Sequence, residues 1–378
     1  MLRRTSWTAA AIAAAMLAAA GCTVSAGATP AWQRVVLPPN VRAASLASGG
    51  DTVLLGGQAE GHPVLLRIDG LKTGATVALD PREPPAADAD LISVTIDGDY
   101  LFAIGRWFGG AHSNPRLTMW DGTISTNVLT SRPQALFTFG GHDAGNLLGI
   151  EVIAARQVVF GLRSETTGIE GVVWTRSGKT WTKHVHLDPT LVSSPDRVVS
   201  FTALDRLGDH LVVVGDEVGL AGGLTQQPSI WVGSPDGPWT QALLQLPADL
   251  PPVAGQLSRA TSVACADGAG CWVAGWVRGR PVVWGIDIGI DGSITPRQPT
   301  VLFGTPPSGA DPIALVDLVA DRPVVLTGAG EASLQLGCPD GWHALPAPTG
   351  TATVLQAATA GLYAITVDGL QRLEPPRC

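Results

Sequence analysis

A short apolar run ending at glycine returns six times along this chain. The copies are Val53-Leu-Leu-Gly56, Leu101-Phe-Ala-Ile-Gly105, Val158-Val-Phe-Gly161, Leu211-Val-Val-Val-Gly215, Cys271-Trp-Val-Ala-Gly275 and Val324-Val-Leu-Thr-Gly328. Their glycines lie 49 to 60 residues apart, and Leu362-Tyr-Ala-Ile-Thr366 is a seventh copy without the glycine. Runs this short, rich in β-branched residues and bounded by Gly or Asp, are buried strands and not helix turns. Regular recurrence at this period is the mark of a repeat architecture.

Each copy sits in the same local order. Before it comes a strand of small and apolar residues, such as Ile92-Ser-Val-Thr-Ile96. After it comes a third strand, often with a tryptophan (Trp120, Trp174, Trp231, Trp284), then a turn at Asp69-Gly70, Asp121-Gly122, Ser177-Gly178, Asp236-Gly237, Asp291-Gly292 or Asp340-Gly341. Asp-Gly supplies the positive φ that a tight hairpin requires. A fourth strand ends near proline. Four antiparallel strands every ~50 residues define β-propeller blades. The seventh copy ends after its third strand, and Ala31-Trp-Gln-Arg-Val-Val-Leu-Pro38 is an orphan fourth strand at the other end. Pairing the two closes a ring and removes two exposed sheet edges. The reading is all-β: a single seven-bladed propeller over residues 31–378, with six or eight blades requiring a misread copy.

The first thirty residues carry an address. Met1-Leu2-Arg3-Arg4 is followed by an apolar core from Thr8 to Ala20 that is too short to span a bilayer, the pattern of an export signal. It ends at Ala19-Ala20-Gly21-Cys22, which resembles the lipobox of bacterial lipoproteins. That resemblance implies a signal peptide over 1–21, lipidation of Cys22, a tether over 22–30 and attachment to the outer face of a membrane. Ala19 stands where the family usually has Leu, and Ala26-Gly27-Ala28 offers a rival cleavage that would release a soluble chain. Export also suits the remaining cysteines. Cys265 and Cys271 flank a hairpin turn, leaving Cys338 for Cys378, an even set in a compartment that permits disulfides.

Without the leader, 22 basic residues face 32 acidic ones, so nucleic acid is excluded as a partner. At 45% hydrophobic and 15% charged, with 46 Gly and 29 Pro, the chain is too apolar for disorder and too rich in turn residues for helices.

In a propeller the first-to-second and third-to-fourth connections share one face, and the others share the opposite face. The first set is tight here. The second set (58–62, 106–115, 163–170, 216–228, and the blade links 81–90 and 133–146) is long, and long loops on a rigid scaffold are where binding is built. On that face Arg106, Trp107, Phe108 and His112 form the first candidate site, suited to a sugar ring or a partner side chain. Trp276, Arg278 and Arg280 form the second. Glu151 and Asp317 fall on innermost strands, where they could do acid–base work or line the channel. His184, His186 and Asp188 alternate along an outermost strand and are read as a solvated row, not metal ligands. Segment 81–90 is acidic but lacks the form of a calcium loop. No P-loop, HExxH or Gly-x-Ser-x-Gly motif occurs, and neither cofactor nor metal is expected.

Two turns, Thr175-Arg-Ser-Gly-Lys-Thr-Trp181 and Ser234-Pro-Asp-Gly-Pro-Trp239, resemble the Asp-box of sialidase-like propellers. The first lacks the aspartate and the second is two residues short. In that family the box is a structural turn, so the resemblance implies fold only. Sialidase chemistry needs a tyrosine nucleophile, and both tyrosines, Tyr100 and Tyr363, fall on second strands. The leading expectation is a non-catalytic binding or scaffold lipoprotein that holds an envelope protein or a glycan. The alternative is a glycoside hydrolase or lyase acting on extracellular polysaccharide.

Overall fold

The computed structural model describes residues 31–109, 115–221, 223–303, 313–328 and 332–378. The leader, Cys22 and the tether, together with His112, lie outside the described residues.

Seven antiparallel sheets of four principal strands form a seven-bladed β-propeller. Blade one comprises Val41–Gly49, Thr52–Ala59, His62–Asp69 and Lys72–Thr76. Blade two comprises Asp90–Asp97, Tyr100–Phe108, Pro115–Thr123 and Val128–Arg132. Blade three comprises Ala144–Ile153, Arg156–Glu165, Gly168–Ser177 and Thr180–His184. Blade four comprises Arg197–Leu207, His210–Gly219, Thr225–Gly233 and Trp239–Leu243. Blade five comprises Ser258–Ala266, Gly270–Val277, Arg280–Ile288 and Ile294–Pro296. Blade six comprises Ile313–Val319, Arg322–Gly328, Ser333–Cys338 and Gly341–Leu345. Blade seven takes Ala352–Ala358, Gly361–Thr366 and Gly369–Leu373 from the end of the chain and Gln33–Arg34 from its start.

The ring closes as the orphan strand requires. Gln33 lies opposite Arg372 and Arg34 opposite Gln371, and Val35 N–H donates to Leu370 O at 2.9 Å. The first strands form an unbroken inner circle, blade one touching both blade two and blade seven. Core clusters lie between successive sheets. One joins Val35, Tyr363 and Ile365 of blade seven to Leu46, Val53 and Leu66 of blade one.

The recurrent glycine has a specific cause. In blades one to five the first strand carries a β-bulge beside the partner of Gly56, Gly105, Gly161, Gly215 or Gly275. A bulge crowds the strand opposite it. A Cβ on Gly215 would come 1.9 Å from Ser200 O, and one on Gly275 2.2 Å from Arg259 O. The glycines of the repeat are the spaces into which the innermost strand folds.

The tryptophans also have a second duty besides filling the core. Trp174, Trp231 and Trp284 are buried, and each indole N–H donates to a carbonyl of the link entering its blade: Thr138 O at 2.7 Å, Thr190 O at 3.0 Å and Gln245 O at 2.7 Å. In blades six and seven Gln335 and Gln371 take this place, donating to Phe303 O and Thr349 O, both at 2.7 Å.

Both disulfides form as paired from the sequence, Cys265 to Cys271 and Cys338 to Cys378. One turn expectation is corrected: Asp121-Gly122 lies inside the third strand of blade two. Asp121 there accepts hydrogen bonds from Arg132 and Arg176, so the strand continues to Thr123 and the chain turns at 124–127, with Asn127 at φ 54°.

The bulge account makes a paired prediction. Gly215→Ala should cost about 2–3 kcal/mol by overpacking. Gly208→Ala, in an open turn with φ 56° and no atom within 4 Å of its Cβ, should cost about 1 kcal/mol from backbone strain alone. Urea denaturation of the two variants measures the difference, and equal losses would refute the role given to the bulge.

Candidate functional site

The faces divide less sharply than the sequence suggests. Second strands run further than expected, so 58–62 and 163–170 are strand ends around two-residue turns at 60–61 and 166–167. The long connections are the blade-to-blade links, several with a short helical turn, such as Pro84–Ala87 and Pro189–Leu191. They still lie on one face, with first-to-second turns such as 50–51, 154–155 and 208–209 on the other.

Strand extension splits the first candidate trio. The second strand of blade two continues to Phe108, so side chains alternate through Arg106, Trp107 and Phe108. Trp107 turns to the side of Arg116, whose guanidinium lies 5.9 Å from its ring, and covers Gly109, where a Cβ would come 2.2 Å from the indole. It shields its own strand end. Arg106 and Phe108 share the other side, guanidinium 5.3 Å from ring centroid, and Phe108 is 60% exposed.

The residues that complete this group were not visible from spacing. Asp90 opens the first strand of blade two directly opposite Arg106. Arg42 reaches across from blade one, its Nη2 donating to Asp90 Oδ2 at 2.9 Å and to Gln58 Oε1 at 3.1 Å. Asp90 is buried, and burial pushes its carboxyl up while Arg42 and Arg106 pull it down. Its Oδ1 and the Arg106 Nε are both buried without a hydrogen-bond partner among the described residues. Such leftover capacity is costly in a folded protein unless a ligand or water uses it. An acceptor, guanidinium donors and a projecting ring thus stand together at the loop end of the blade one–blade two junction.

The second trio does not assemble. Trp276 is 2% exposed and packs with Val325 and Ala314 of blade six, so it is core and not surface. Arg278 occupies a two-residue turn at φ 52° and donates to Gln256 Oε1 at 2.7 Å, while Arg280 is exposed beside it. A shallow cleft on blade four, lined by Gln227, Leu243, Gln245 and Pro251 among others, has no charged group.

The row of His184, His186 and Asp188 is broken as well. His184 ends the outermost strand and bonds Thr175, and Asp188 caps the turn Pro189–Leu191 through Thr190 N. His186 lies beyond the strand at φ 53° and meets Glu170.

Glu151, Asp205 and Asp317 occupy equivalent places on their innermost strands, third from the tight turn. Asp205 accepts from its neighbour Arg206 N and from Cys265 N of the next blade, both at 2.7 Å. Asp317 does the same with Leu318 N at 2.7 Å and Ala357 N at 2.6 Å. These two carboxylates are latches between blades. Glu151 makes no hydrogen bond in the described structure. All three keep partial contact with the bore but are enclosed by protein, and that enclosure sets their electrostatics. Burial pushes Glu151 up to about 8, helped by Asp205 and opposed by Arg206. It pushes Asp317 up to about 7 and Asp205 up to about 6, against the backbone N–H groups that hold them down. Of the three, Glu151 is the group most favoured to hold a proton, and the neighbouring Asp205, raised less and held down by backbone N–H groups, is the one most favoured to be ionised. The two tyrosines offer no nucleophile: Tyr363 is fully buried, and Tyr100 is exposed at the tight-turn end.

The raised carboxyls fix a sign for pH dependence. Folded protein holds protons that the unfolded chain, with ordinary carboxyl values near 4, has released, so stability falls as pH rises from about 4 to about 8. Glu151→Gln should flatten the upper part of that fall, by on the order of 2 kcal/mol between pH 5 and 8. Urea midpoints across pH report it, and a slope unchanged by the substitution would reject the protonated state.

No protein-family model and no curated sequence matches the chain. Among solved structures it is similar to the Pyrococcus horikoshii acylaminoacyl peptidase, at 10% identity and TM-score 0.47 over 88% of this chain and 52% of that one. It is also similar to the Penicillium chrysogenum α-L-arabinanase, at 10% identity and TM-score 0.42 over 75% of this chain and 91% of that one. A third likeness is Zg3597, a family 117 glycoside hydrolase of Zobellia galactanivorans, at 8% identity and TM-score 0.38 over 65% and 84%. The chain spans about half the length of the peptidase. Likenesses this distant concern the fold alone and assign no activity.

Proposed function

We propose that this chain is an exported, lipid-anchored binding protein without catalytic activity, which holds a glycan at the loop end of the junction between blades one and two. The carrying observation is the grouping of Asp90, Arg106 and Arg42 under the exposed Phe108, with one buried carboxylate oxygen and one buried guanidinium nitrogen left without partners. A hydroxyl-bearing ring supplies a donor for the oxygen, an acceptor for the guanidinium and an apolar face for Phe108.

Topology supports the address. The third strand of blade seven runs away from the 367–368 turn on the loop face, and Gln33–Arg34 runs antiparallel to it. The chain therefore enters the ring from the tight-turn face. Residues between Cys22 and Trp32 reach at most about 30 Å. A lipid on Cys22 would then hold the tight-turn face toward the membrane and leave the loop face pointing outward. The disulfides suit an oxidising compartment.

The test is retention of cell-surface glycan, and of cross-linked envelope proteins, on purified variants. Arg106→Ala and Phe108→Ala should each weaken glycan retention tenfold or more, about 1.4 kcal/mol, with unchanged Tm. Trp107→Ala should leave retention intact, because its ring faces the other side of the sheet. Loss of a cross-linked protein with no glycan affected would transfer the site to a protein partner. Polysaccharide cleavage abolished by Glu151→Gln would replace binding with catalysis.

A further inference from the structure

Blade three carries a cluster that the binding site above does not use. Arg163 and Glu165 stand two apart on the second strand and so share a side, and Glu170 on the third strand lies directly opposite Arg163. The chain leaves the outermost strand at His184 and turns back through His186, whose φ of 53° aims its N–H at Glu170 Oε1. His186 Nδ1 lies 3.2 Å from that oxygen. One donor atom each from Glu165, Glu170 and His186 lie within 4.8 Å of one another. Zinc bonds of about 2.0–2.2 Å at tetrahedral angles place ligand atoms about 3.3–3.6 Å apart, so modest side-chain adjustment closes the set.

Three carboxylates at this cluster, Asp143, Glu165 and Glu170, outnumber the two cations beside them, Arg163 and Lys183. Asp143, Glu165 and Glu170 all converge on one guanidinium: Arg163 Nε is 3.1 Å from Asp143 and its Nη2 2.7 Å from Glu165. Glu170 receives the least. It is fully buried, Arg163 Nη1 stands 4.0 Å from Oε2, and that oxygen has no hydrogen-bond partner among the described residues. The neighbouring Lys183 lies with its amine 5.6 Å from the Trp174 ring and makes no ion pair among the described residues. An unpaired buried carboxylate oxygen costs several kcal/mol in proteins, and a directly bonded cation is one of the few groups that can remove that cost.

We propose that Glu165, Glu170 and His186 bind a divalent transition metal of the zinc class at the loop end of blade three. One imidazole nitrogen and two carboxylate oxygens make a borderline donor set that suits Zn²⁺ or Co²⁺, and three protein ligands leave a fourth position for water. Calcium and magnesium, which take oxygen ligands, fit it poorly. Arg163 retains Asp143 when the metal takes the two glutamates. His186 is largely exposed, which gives the ion a path of entry. The site would join the second and third strands to the link leading into blade four. The second cluster with metal-like spacing, Cys338, Asp340 and His343, is spent: the cysteine is in a disulfide, and the other two pair with each other at 2.9 Å.

The experiment uses the mature protein stripped with chelator, titrated with Zn²⁺ by calorimetry and with Co²⁺ by visible absorption. One ion per chain should bind, raising Tm, and Co²⁺ should give the d–d bands of a four- or five-coordinate site. His186→Asn tolerates the left-handed backbone and removes the imidazole. It and Glu165→Gln should each weaken Zn²⁺ binding at least tenfold and abolish the Co²⁺ bands, while the metal-free Tm stays within the wild-type range. Absence of binding by the wild type, or binding retained in both variants, would overturn the proposal and leave the cluster an ion-pair network around Arg163. Glu170→Gln is not the deciding variant, because its buried carboxylate also holds His186 N.

Discussion

Everything in this molecule rests on pairing the start of the chain with its end. A propeller blade is apolar on both faces, so each sheet is stable only between two neighbours. Blades two to six obtain neighbours from chain order. Blades one and seven lie at opposite ends of the chain; they meet where Ser48 Oγ donates to Ala357 O and where Gln33–Arg34 completes the sheet begun at Ala352. The same few residues deliver Val35 into the cluster shared by the two blades, and Trp32 donates its indole N–H to Pro346 O at 2.7 Å. The Cys338–Cys378 disulfide ties the end of the chain to blade six, so the last blade is held both by its neighbour and by its missing strand. The closing contacts span more than three hundred residues, which makes ring closure the step with the largest loop entropy to overcome.

The fold was legible because its constraints are periodic. A glycine facing a bulge, a tryptophan or glutamine holding the incoming link, and a strand missing from one end all leave marks at fixed positions. The blade count and the closure followed from such marks, and both disulfides from the spacing of the cysteines. What misled was local. Asp121-Gly122 has the composition of a hairpin turn, but a glycine is also required wherever a neighbouring strand comes too close for a Cβ: one on Gly122 would sit 1.9 Å from Val128 O. Composition alone does not separate these two uses of glycine.

The sites were far less legible, for a related reason. Strand alternation is unforgiving: extending a strand by two or three residues sends Trp107 to one side and Phe108 to the other, and it buries Trp276 in a core. Arg106 and Phe108 were identified from the sequence, but Asp90 and Arg42, which give them chemical meaning, come from the adjacent strand of the same blade and from a neighbouring sheet. The same holds for His186. Its sequence neighbours suggest a row with His184 and Asp188, whereas a single left-handed residue detaches it and hands it to Glu170 on another strand. No pattern within one segment encodes such a meeting.

The two ends of the ring differ in chemistry, and the difference argues for where function resides. At the tight-turn end the carboxylates of Asp205 and Asp317 are consumed by backbone N–H groups of the following blades, and Glu151 is neutralised by enclosure. The two aspartates thereby hold neighbouring blades of the inner circle together. At the loop end some polar groups have capacity left over: Asp90 Oδ1, Arg106 Nε and Glu170 Oε2 are all buried without partners among the described residues. A scaffold has no reason to maintain unsatisfied buried atoms at its rim, since each one weakens it. Unpartnered buried atoms also occur at the tight-turn end, among them Asn127 Oδ1 and the Trp181 and Trp239 indole nitrogens, so the proposed recognition at the loop end rests on the charged character of its group beside the exposed Phe108 and not on the number of such atoms.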